Sequence, residues 1–164
     1  MKDGENINIL SKTNCKKELG VHIDSELRFN EHIKNQVKRA RRTAGVINST
    51  ILNKTQNIML PLFKSMVRPI IEYANSVWSP YLVQDIKNIE NIQRTFTKKI
   101  YGMNNKNYHQ RLISLNLPSL EFRRLRGDLI EVYKIIHNIY DPATTKKTVY
   151  YGFGPLLHQK KQQS

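Results

Sequence analysis

Two stretches of this chain repeat apolar residues at alternating intervals of three and four, and that period admits little besides amphipathic helix. Ile33, Val37, Ala40, Ala44, Ile47 and Ile51 recur at intervals of 4, 3, 4, 3 and 4. At about 100° per residue they fall within a stripe roughly 80° wide, which is a core-facing seam. Asn30 suits the N-cap of this helix, with Glu31 favourably placed in its first turn. Phe122, Leu125, Leu129, Val132, Ile136 and Ile139 recur at 3, 4, 3, 4 and 3 and predict a last helix with its apolar face turned inward, Ser119 being its N-cap.

The segments between them read as further helices. One runs from Thr55, an N-cap, toward Val67, with Pro61 inside it expected to kink it or delay its start. Ile70, Ile71, Tyr73, Ala74, Val77 and Trp78 make a short apolar helix between Arg68-Pro69 and Ser79-Pro80. Leu82, Ile86, Ile89, Phe96 and Ile100 give a third element that Gly102 stops, and Tyr108, Leu112 and Leu115 suit a connector helix. Trp78, Tyr73, Phe96 and Phe122 lie on apolar faces and read as core aromatics. Before Asn30 the period is two: Asn6-Ile7-Asn8-Ile9-Leu10 and Leu19 to Asp24 alternate, with Ser11 to Cys15 as a polar turn between two strands. After Asp141-Pro142 periodicity fails. The fold class is therefore mainly α: a helical bundle with a small N-terminal β ribbon (1–29), a bundle (30–140) and a flexible basic C-terminal tail (141–164).

Charge is distributed as unevenly as the periods. The 164 residues carry Lys+Arg 27 against Asp+Glu 13, a net of +14. Residues 1–30 hold five basic and five acidic side chains, so the whole excess lies beyond Asn30. Lys34, Lys38, Arg39, Arg41 and Arg42 fall off the apolar seam of the first helix, and Arg123, Arg124 and Arg126 flank that of the last. Such a surface suits phosphate backbones, bound without base readout, RNA or DNA alike. The last three arginines are open to a second use, packing and pairing with Glu121 and Asp128.

Few residues suggest chemistry. No two of the five Asp are adjacent, as paired metal ions would need. Asp128 and Glu131 read as a solvated pair answering Arg124 and Lys134. The five His lack metal-ligand spacing, and Cys15 is the single cysteine. No glycine-rich phosphate loop is present, so no catalytic, cofactor or metal residue is expected, and no small-molecule substrate. The polar start and the lack of an apolar run of about 20 residues argue for an intracellular protein, in cytoplasm or nucleus, neither secreted nor membrane-bound.

One resemblance spans roughly residues 16–140. Lys17-Glu18-Leu19-Gly20-Val21-His22-Ile23-Asp24 with Leu27-Arg28-Phe29-Asn30-Glu31-His32-Ile33 resembles the segment just after the palm of reverse transcriptases from non-long-terminal-repeat retrotransposons of the jockey-like group. Leu62 to Tyr73, Val77-Trp78-Ser79-Pro80-Tyr81, Ile89 to Lys98, and Leu117 to Leu129 continue it. The resemblance implies the thumb and the helices after it, which grip the template–product duplex, with residues 1–29 as a palm-edge remnant. The family's catalytic aspartates lie upstream and have no counterpart here, nor has its endonuclease domain, so a non-catalytic fragment is expected. Pro61 departs from the family pattern, and the tail after Asp141 matches none of it. A helical module that binds protein, whether the palm domain or another partner, and a degenerate remnant without selected function are the alternatives.

Overall fold

A computed structural model describes residues 2–3, 6–7, 13–137 and 139–140. Two small antiparallel hairpins come first: β1 (Lys2–Asp3) with β2 (Asn6–Ile7), and β3 (Cys15–Glu18) with β4 (Val21–Asp24). Helices follow: α1 (Asn30–Thr50), α2 (Gln56–Leu62), a wide π-helical turn over Phe63–Val67, α3 (Arg68–Glu72), α4 (Asn75–Trp78), α5 (Val83–Lys98), α6 (Tyr108–Ser114) and α7 (Leu120–Ile136). The mainly helical class with a small N-terminal hairpin is therefore observed. The expected tail, 141–164, lies outside the described residues, as does most of the expected strand 6–10.

The strand pairing differs from expectation. Val21–Asp24 pairs with Cys15–Glu18, so Cys15 begins a strand rather than ending a turn. Leu19 and Gly20 alone connect the two strands, with φ of 45° and 84°. Positive φ at both central residues is the signature of a type I′ turn, which matches strand twist and which glycine adopts without steric cost. Tyr73 secures this turn from the helical side, its hydroxyl donating to Leu19 O at 2.7 Å.

Entry into α1 is set by Asp24 rather than by Asn30. The N-cap position is Phe29, in left-handed conformation with φ 55°. The Asp24 carboxylate accepts from the backbone N–H of Glu26, Arg28 and Phe29, at 3.1, 2.9 and 2.6 Å. Those amides hold its pKa below the ordinary value. The seam of α1 then faces inward as its period requires: Ile33, Val37, Ala40, Ala44 and Ile47 are buried, and Ile51 is half-buried.

Pro61 neither delays α2 nor stops it. The distortion comes one turn later, where Arg68 N–H reaches back five residues to Phe63 O. A wide turn here has a physical cause. Pro69 has no N–H to give, and its ring would crowd the carbonyl four residues back in a regular helix. Phe63 and Val67, both buried, point from this turn into the core, and the Phe63 ring meets Phe96 of α5 at 4.9 Å. Arg68-Pro69 thus begins α3 rather than separating two helices, and Ala74 (φ 53°) turns the chain into α4.

His32 sits buried beneath α4, edge-on to Trp78 at 4.9 Å. Its Nδ1 accepts from His22 N–H at 3.3 Å, and its Nε2 lies 3.3 Å from the side-chain amide nitrogen of Gln36. Burial lowers the ring's pKa from 6.5, and the charges of His22 and Arg39 push the same way. A base whose folded-state pKa lies below its unfolded value lends stability above the unfolded pKa and loses it as pH falls toward the folded one. Thermal melts are therefore expected to hold level above about pH 7 and decline as pH drops below 6.5. A His32→Gln variant should show a flatter profile over that window; an equally steep one would contradict the assignment.

Candidate nucleic-acid interface

Lys34, Lys38, Arg39, Arg41 and Arg42 are all exposed, on the side of α1 away from its seam. At 100° per residue they spread over an arc of roughly 160°, and at 1.5 Å per residue they span about 12 Å of helix. Among the described residues none of the five forms an ion pair, and Arg39 has one long contact, Nη1 to Gln36 Oε1 at 3.5 Å. Their charge is available to solvent or to a polyanion.

The three arginines of the last helix separate. Arg126 is exposed and outside any ion pair among the described residues. Arg123 is committed: its Nε and Nη2 bind both oxygens of Glu72 at 2.6 and 2.9 Å, a bidentate clamp of α7 onto α3. The Glu72 carboxylate raises its pKa further. Arg68, buried, lies 3.9 Å from the same carboxylate. Arg124 is buried against the body of the molecule, and burial lowers its pKa while Glu90, Glu121, Glu72 and Asp128 oppose that shift. Arg123 and Arg124 therefore leave the expected phosphate-binding set, because acidic partners and burial take them up. Asp128 is half-buried, bonded to Ser79, with burial raising its pKa, whereas Glu131 pairs with Lys134 at 3.1 Å as expected.

Glu90 does more than its place in a solvated helix suggests. Its carboxylate accepts from Leu120 and Glu121 N–H at 3.3 and 3.1 Å and from the Tyr108 hydroxyl. Ser119 Oγ accepts from Phe122 N–H at 3.1 Å, so side chains satisfy three orphan amides at the start of α7. Burial and Glu90 together hold the Tyr108 hydroxyl protonated. Gln93, buried, donates to Tyr108 and to Pro118 O, completing the join. Glu90→Ala is expected to cost about 2–3 kcal/mol in denaturant unfolding, since it leaves charged-acceptor bonds unmade.

A second cationic surface was not legible in the sequence. Arg94, Lys98 and Lys99 line an open groove at the C-terminal end of α5, with Asn91, Asn104 and the exposed Tyr101. The spacing of Arg94 and Lys98, four apart at a helix C-terminus, is the signal that could have found it. Trp78 and Phe96 are buried, but Tyr73 and Phe122 are 51% and 57% exposed, so only two of the four aromatics belong to the core. Among the described residues no three His, Cys, Asp or Glu side chains gather where one metal ion could sit, and no helix is long and apolar enough to cross a membrane.

No protein-family model matches the chain, and no solved structure matches it significantly. An uncharacterized protein of Caenorhabditis elegans is 23% identical over 125 residues, covering 74% of this chain and 61% of the relative. The chain thus matches about three fifths of that relative's length.

Proposed function

We propose that this chain is a non-catalytic, thumb-like segment of a retroelement reverse transcriptase that works inside the cell and holds nucleic-acid backbones by charge, without reading bases. The carrying observation is the α1 face, with five exposed cations and no ion pair among the described residues. The groove of Arg94, Lys98 and Lys99 extends the available positive surface, and Arg126 adds to it. Motif resemblance over roughly residues 16–140 supports the lineage. Many of the resembling residues, Glu72, Trp78, Glu90, Gln93 and Arg123 among them, have structural work here, which explains their pattern without a reacting centre.

Fluorescence anisotropy with two labelled duplexes of unrelated sequence tests the reading. Five phosphate contacts predict a log–log salt slope near −4.5, or an affinity loss of about 500-fold between 50 and 200 mM salt. Equal affinity for both sequences is expected. A flat salt response would overturn the proposal. A second reading, a helical module that binds protein, is favoured by one observation: the apolar stripe of α7 lies on the outside of the molecule.

A further inference from the structure

The stripe that the sequence period assigns to the core of α7 does not reach it. Leu120 and Arg124 are the buried residues of this helix, which packs on α5 and α4. At 100° per residue the stripe centres roughly 140° from those two, on the opposite side. Phe122, Leu125, Leu129 and Ile136 are 57, 58, 61 and 68% exposed, and Val132 is half-buried. A continuous apolar ridge along a helix of 17 residues, about 25 Å, is the kind of surface that marks a contact.

We infer that this ridge pairs with the same ridge of a second copy, as a short parallel two-stranded coiled coil. The repeat 122, 125, 129, 132, 136 is heptad: Phe122, Leu129 and Ile136 occupy the a positions, Leu125 and Val132 the d positions. The charges beside the seam select both partner and direction. Glu121 lies on one flank at g and Arg126 on the other at e. Both are exposed, and neither forms an ion pair among the described residues. In a parallel, in-register pair, g of one helix faces e of the next heptad in the other. That sets Glu121 against Arg126 of the second copy, and two-fold symmetry makes the contact twice. An antiparallel pair would set e against e and g against g, leaving these charges without opposite partners. The Glu72 and Glu90 contacts hold α7 to its own body from the other side, so the ridge is presented on a fixed helix. This inference stands independently of nucleic-acid binding.

Sedimentation equilibrium of the full chain, freed of nucleic acid by nuclease and high salt, tests it from about 1 to about 100 µM. A species of twice the 19.2 kDa chain mass is expected. Leu125→Glu with Leu129→Glu should give a monomer with unchanged helical circular dichroism, since both side chains are exposed. Glu121→Arg or Arg126→Glu alone should raise the dimer dissociation constant roughly tenfold, and the two together should restore it. In a Cys15→Ser background, Leu125→Cys should crosslink to itself on oxidation, as d layers do only in the parallel arrangement. A wild-type monomer at the highest concentration, a dimer indifferent to the paired Glu substitutions, or one that neither the charge exchange restores nor Leu125→Cys crosslinks, would overturn the inference.

Discussion

Replacing Lys34, Lys38, Arg39, Arg41 and Arg42 together by Gln is expected to remove most of the salt-dependent affinity of this chain for nucleic acid. Each phosphate contact contributes about 0.9 to the slope of log affinity against log salt on a duplex, so five lost contacts should flatten it by about 4.5. At 50 mM salt the affinity should fall by at least about a hundredfold. All five side chains are exposed and without internal ion pairs among the described residues, so the fold should survive with its melting temperature nearly unchanged. Single reversals at Arg123 or Arg124 should behave oppositely. They would disturb stability, because Arg123 clamps Glu72 and Arg124 is buried, while leaving the salt slope almost intact. Anisotropy titrations paired with thermal melts separate the two patterns. If the quintuple variant kept its slope, α1 would not be the binding face.

Trp78→Ala is expected to be the most destabilising single substitution outside the backbone. Trp78 is fully buried, meets His32 edge-on, and its Nε1–H donates to Tyr73 O at 2.6 Å. Removing so large a ring costs about 3–5 kcal/mol through lost transfer energy and the cavity left behind. It also strands the Tyr73 carbonyl. For a chain of this size that lowers the melting temperature by roughly 10–15 °C. Trp78→Phe keeps most of the volume and loses the N–H, so it should cost about 1–3 kcal/mol. Urea unfolding of the three proteins measures both steps; a loss below about 1 kcal/mol for the Ala variant would contradict the packing described.

The contrast between α1 and α7 shows where sequence patterns stop being informative. Both carry an apolar stripe with intervals of three and four. In α1 the stripe is the core seam, while in α7 most of it lies in solvent. A period states that a helix has an apolar side. It says nothing of whether other elements of the same chain cover that side, because the covering residues are remote in sequence. The N-terminal hairpin failed differently. Cys15–Glu18 is polar throughout and exposed, so no alternation marked it, and a leucine at the first position of a type I′ turn gave no warning. Helix ends fared better: Ser119 is the N-cap of α7, and Gly102, at φ 73°, follows α5 where a stop was expected.

Local sequence by itself determined the helices, their approximate ends and the one-sided charge of α1, because a period of 3.6 fixes the face each residue occupies regardless of its surroundings. Tertiary structure alone decided which arginines remain free and which apolar stripe faces out. Glu72 meets Arg123 across 51 residues, and Glu90 reaches the amides of α7 across 30 and 31. A carboxylate that neutralises a guanidinium or caps a helix acts over a few ångströms of space. Chain separation leaves no local trace of it, so only the folded arrangement assigns those charges their work.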